Sequence, residues 1–215
     1  MKTYAKLTAV IIAAWFLFAL SASLLHWFNN DAGRIGGAVA VAALVPVIVF
    51  ALWFAVSPTF RQFAFSLDPQ ILTAVQTWRL LGFTFLVSQA RGILPAIFAL
   101  PAGYGDMLIG ATATLAAWTL ANPGRRYSFI FWQALGITDL VLAVGLGTTA
   151  RLLSPHSTSM AAMTVLPLSL IPTFLVPLFL ILHIICIAQA SAWKSAASNA
   201  TQRQPGRSVP QSITA

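Results

Sequence analysis

The sequence predicts an all-α fold: a polytopic bundle of six transmembrane helices with both ends in the cytoplasm. Composition and run length set the class, and the placement of basic residues sets the orientation. Of 215 residues, 59% are hydrophobic and only 7% charged. A soluble domain carries about a quarter charged residues, because its surface must face water. Six apolar stretches approach the length of about 20 residues that crosses a hydrocarbon core of about 30 Å. Helices are expected because every backbone N–H and C=O in lipid needs an internal partner.

The first stretch, about 7–28, follows Lys2 and Lys6 and ends at Trp27 and Phe28. Its basic start and the small residues Ser21-Ala22-Ser23 also fit a cleavable signal peptide, which would leave five spans. Continuation through Leu24 and Leu25 favours a span. The second stretch is about 35–57, and the third, about 71–89, carries Arg79. Next comes Ala90–Tyr104, apolar but punctuated by Pro95, Pro101 and Gly103. It is expected to lie in the outer interface as a short helix, or to re-enter the membrane and line a cavity. The fourth stretch, about 105–121, is short and rich in Ala, Thr and Gly. The fifth, about 127–150, contains Asp139, and the sixth, about 165–190, contains Pro167, Pro172 and Pro177. Interior prolines bend a helix and free carbonyls. Residues 194–215 are rich in Ser, Ala, Gln and Pro, and a disordered cytoplasmic tail is expected there.

With the N-terminus inside, the cytoplasmic side holds Lys2, Lys6, Arg61, Arg125, Arg126, Lys194, Arg203 and Arg207. The outer side holds Arg34, Arg91 and Arg151. Basic residues favour the cytoplasmic side, so the asymmetry orients the chain in the cell membrane. The net charge of +8 is therefore topogenic. The basic residues form no stripe that would track phosphates, which argues against nucleic acid as a partner, although anionic lipid headgroups would attract them.

The acids are Asp31, Asp68, Asp106 and Asp139, and the chain has no glutamate. Paired-glutamate acid–base chemistry and carboxylate-rich metal sites are thereby excluded, and no metal site is expected. The single cysteine, Cys186, forms no intramolecular disulfide. His26 and His183 fall at opposite depths, so they do not bracket one haem; no cofactor is assigned. The string Gly103-Tyr104-Gly105-Asp106 resembles part of a potassium-channel filter. Pro101 and Ala102 stand where that family needs threonine and valine to ring the ion with oxygens, so no filter is expected.

Charge inside a bilayer costs at least about 2.5 kcal/mol at a helix centre and calls for a partner. Arg79 and Asp139 fall within spans at depths an arginine side chain can bridge. Gln76, Gln133 and His183 fall at related depths, so Gln76, Arg79, Gln133, Asp139 and His183 are expected to form an intramembrane polar cluster. Asp139 shares a helix face with Gly136, Ala143 and Gly147, and small residues permit close helix contact. Arg91 and Asp106 are candidates nearer the outer side. Gly103-x-x-Asp106 and Gly136-x-x-Asp139 also share a local pattern of an acid followed by large apolar residues.

Three function classes follow. The first is binding or transport of a small molecule or proton through the cluster. The second is a non-catalytic partner subunit or assembly factor of a membrane complex. The third is a membrane redox or lipid-modifying enzyme, although no hydrolase, zinc or phosphate-loop motif is present. The partners are the lipid bilayer and a small-molecule ligand, or a membrane-protein partner or second copy in the second class.

Overall fold

A computed structural model describes residues 2–29, 37–153 and 160–202. Among them there is no strand, and six helical segments are long and apolar enough to cross a membrane. They are Thr3–Leu24, Gly37–Val56, Pro69–Ala90, Ala96–Leu120, Pro123–Arg151 and Ile171–Trp193, here spans one to six. Asp31, Arg34, His156, Arg203 and Arg207 lie outside the described residues. Six successive passes put the start of span one and the end of span six on one face of the bundle, called here the terminal face.

Local sequence sets the helix starts. Span one is α1 (Lys2–Leu24) and span two is α2 (Gly37–Val56). A short helix, α3 (Pro58–Phe65), follows: the Ser57 hydroxyl accepts from the Phe60 N–H at 3.3 Å, and Pro58 occupies the first turn. Span three begins as α4 (Pro69–Ala74), where Asp68 Oδ1 accepts from the Gln70 N–H at 2.8 Å. Such a cap satisfies a donor that the first helical turn leaves open, and proline is at home beside it. Asp68 is thus accounted for as a cap. Span three continues through a 3₁₀ stretch, Val75–Gly82, into α5 (Phe83–Ala90). Spans four and five are α6 (Ala96–Leu120) and α7 (Arg126–Leu153). Span six opens with a π turn, Ile171–Leu175, and becomes α8 (Val176–Gln202). The backbone of α8 therefore runs past Lys194, where the tail was expected to begin.

Span four starts well before the expected Gly105, and this changes the depth of everything on it. The apolar Ala90–Tyr104 segment is only in part a connection: from Ala96 it forms the first turns of α6, with Pro101 inside the helix. Pro101 sits early in the helix, so few intrahelical bonds are lost. Gly103, read as punctuation, is a packing position, and so is Gly110 further along the helix. A Cβ on Gly103 would meet Leu86 Cδ2 at 2.7 Å, and one on Gly110 would meet the Leu80 backbone nitrogen at 2.6 Å. Small residues let helices approach this closely, which brings span four against the 3₁₀ stretch of span three.

The core lies among spans three to six. Span four has 44% of its most apolar window buried and span two only 6%, so span two leaves most of its surface to lipid. Away from the terminal face, Phe85, Leu94, Phe98, Met160 and Met163 form one apolar cluster. Near the terminal face, Phe50, Phe60, Phe63 and Ile185 form another, with Trp53 stacked on Phe60 at 4.0 Å. Span one, which the signal-peptide reading would remove, is tied to span six and to the turn before it. Trp15 Nε1 donates to the Thr173 carbonyl at 3.2 Å, and Ser169 Oγ donates to Ser23 Oγ at 2.8 Å. Pro177, four residues after Thr173, has no N–H with which to bond that carbonyl.

Candidate functional site

The guanidinium of Arg79 is the centre of the buried polar structure. It lies midway along span three with a side chain 0% exposed. Nε donates to Asp106 Oδ1 at 2.7 Å, and Nη2 donates to Asp139 Oδ2. Nη1 donates to the Gly136 carbonyl at 3.1 Å and meets His183 Nε2 at 3.3 Å. Spans four, five and six thus each contribute to one arginine of span three.

Room for these side chains is provided by glycines. A Cβ on Gly82 would collide with Asp106, one on Gly105 with the Asp139 carboxylate, and one on Gly136 with the His183 ring. Asp106, Asp139 and His183 therefore each occupy space that an opposing helix has left vacant.

Hydrogen-bond direction fixes the tautomer of His183. Arginine has no acceptor, so His183 Nε2 accepts from Arg79 and Nδ1 carries the hydrogen. Nδ1–H then donates to Gln133 Oε1. Gln133 Nε2 donates to Thr73 Oγ1 at 2.9 Å, and Thr73 Oγ1 donates to the Pro69 carbonyl at 2.7 Å. The chain runs one way, from mid-membrane to the terminal-face end of span three. Gln133, Thr73 and His183 are all fully buried, and Trp132 flanks the imidazole at 5.9 Å between ring centres.

Arg79, Asp139, His183 and Gln133 are therefore joined in one network. Gln76 is buried one turn away but does not join it: its Nε2 donates to the Phe179 carbonyl at 3.2 Å, and its Oε1 has no partner among the described residues. Asp106 lies elsewhere than the sequence suggested. Because span four begins at Ala96, Asp106 sits in mid-span on Arg79 and not near the outer end. Arg91 caps the end of α5 and is exposed, far along the span from Arg79. Among the described residues no group of His, Cys, Asp and Glu has a metal-holding arrangement.

A cavity of about 20 Å³ lies against the network, bordered by Arg79, Gly82, Asp106 and Phe179 among others. That is room for one water-sized occupant. Asp106 and Asp139 keep 13% and 17% of their side-chain surface exposed.

A family model described as Domain of unknown function (DUF8737) matches residues 37–190. The chain belongs to this family. No curated protein and no solved structure matches it. The DUF8737 region takes in Arg79, Asp106, Asp139, His183 and the cavity, while span one lies outside it.

The charge count defines what the site can do. Two carboxylates share one guanidinium, so full ionisation leaves a net charge of −1 in the middle of the span. An unmatched charge at that depth costs several kcal/mol. A proton or a cationic group restores neutrality.

Proposed function

We propose that this DUF8737 protein binds an exchangeable proton at an intramembrane site formed by Arg79, Asp106 and Asp139, as the working element of small-molecule or proton-linked binding or transport. The observation that carries the reading is the surplus carboxylate: two acids from adjacent spans meet one fully buried arginine. The charged and titratable side chains facing each other there are Arg79 from span three, Asp106 from span four, Asp139 from span five and His183 from span six. His183 already accepts from Arg79, so the exchangeable proton resides on the acid pair. The size of the cavity favours a proton, a water or one small head group over a whole organic solute inside the bundle.

Infrared spectroscopy of the protein in lipid nanodiscs tests this reading. The wild type is expected to show a protonated-carboxyl C=O stretch that disappears on alkalinisation. Asp106→Asn and Asp139→Asn are each expected to abolish it, because one carboxylate then matches one guanidinium. Absence of the signal over the pH range in which the protein is folded, or its survival in both variants, overturns the assignment.

A further inference from the structure

The cavity beside Arg79 and Asp106 is placed unusually for a site served by water. Toward the terminal face, the His183–Gln133–Thr73 chain fills the interior with hydrogen-bonded side chains. Toward the opposite face, Phe85, Leu94, Phe98, Met160 and Met163 close the bundle with apolar side chains, and Ile171 packs against them. The remaining walls are Trp78 and Leu81 of span three, Leu140 of span five, and Ile171, Leu175, Val176 and Phe179 of span six. Trp78 is 65% exposed and Leu81 40%, so this side of the cavity reaches the outer surface of the bundle at a depth where the surroundings are hydrocarbon. The π turn at Ile171–Leu175 forms the facing edge, a backbone form common at functional sites.

We infer that the gap between spans three and six is a lateral portal for a membrane-dissolved amphiphile with a primary ammonium head, which binds beside Asp106 while its tail lies along Trp78 and Leu175. The inference rests on the proton-site reading above and names the ligand that exchanges with the proton. Three features select the head group. An ammonium is about the size of the water that a cavity of about 20 Å³ holds. Its charge cancels the surplus carboxylate, so its entry with release of the shared proton leaves the site neutral. It is a donor without an acceptor, and the nearby unmet buried group is an acceptor, Gln76 Oε1, on a side chain that holds the carbonyl of the cavity-lining Phe179. The apolar walls and the lateral mouth select the tail.

The test uses the full chain in nanodiscs with dodecylammonium as the probe. Dodecanol has the same tail without charge, and ethylammonium the same head without a tail. Two readouts are followed: the carboxylic-acid stretch, and Trp78 fluorescence as the difference between wild type and Trp78→Phe. Dodecylammonium is expected to saturate the fluorescence change and remove the acid stretch, while neither comparison compound does so. Leu175→Phe, which narrows the mouth without removing charge, is expected to raise the required concentration roughly tenfold. Asp106→Asn is expected to abolish the saturable fluorescence response. An acid stretch present but indifferent to dodecylammonium, with no Trp78 response, overturns the portal and leaves the proton site standing. A saturable Trp78 response without any acid stretch does the reverse. Equal potency of ethylammonium and dodecylammonium overturns lateral entry.

Discussion

Replacing Arg79 by Gln separates a stabilising pair from a surplus charge. In the wild type the guanidinium serves Asp106, Asp139, the Gly136 carbonyl and His183 Nε2. Arg79→Gln leaves both acids without a cation and supplies one amide group for these four acceptors. Removing one partner of a buried ion pair costs about 3–5 kcal/mol, because a charge is left uncompensated. Asp106→Asn and Asp139→Asn remove the surplus charge and keep a one-to-one pair, so each loses only about 0.5–1.5 kcal/mol in hydrogen bonding. At about 2–4 °C per kcal/mol for a chain of this length, Arg79→Gln lowers Tm by about 6–20 °C and either asparagine variant by about 1–6 °C. Cys186 is the single cysteine and 1% exposed, so a fluorogenic maleimide that labels it only on unfolding reads the melt without a tag. A loss in either asparagine variant as large as that in Arg79→Gln refutes the surplus-carboxylate account, and so does a wild-type melt for Arg79→Gln.

Two further outcomes follow from the same geometry. Gly136→Ala and Gly105→Ala push a methyl group into the His183 ring and the Asp139 carboxylate, and each is expected to cost about 1–3 kcal/mol; Gly145→Ala, which meets nothing within 4 Å, stays within about 0.5 kcal/mol of wild type in the same melt. Nitrogen NMR of labelled histidine is expected to find His183 as the Nδ1–H tautomer, and Gln133→Met to keep it, because Arg79 still donates to Nε2; an Nε2–H tautomer in the wild type contradicts the hydrogen-bond direction derived above.

The helical class was legible because run length and charge scarcity leave a chain few choices in lipid. The reading that Arg79 needs an intramembrane partner was legible for the same reason: a cation in oil must be matched. What the sequence concealed was the depth of Asp106. Pro95, Pro101, Gly103 and Gly105 look like loop residues when helical breaking tendency is the only guide. In the bundle, Pro95 precedes the first turn and the glycines answer neighbouring side chains, so tertiary packing overrides local propensity. One signal pointed the right way: the shared Gly-x-x-Asp pattern, whose two acids end on one guanidinium. Gln76 misled in the opposite sense: in the 3₁₀ stretch it shares a face with Arg79, but one turn along the axis its amide meets the Phe179 carbonyl and not the network.

The bond from Trp15 to the Thr173 carbonyl joins residues 158 positions apart. Pro177 deprives that oxygen of its usual donor four residues on, so span six carries an acceptor that a neighbour can reach. Trp15 of span one supplies a donor. The bundle therefore fastens span one to span six, and the clasp can close only after the four spans between them have been made.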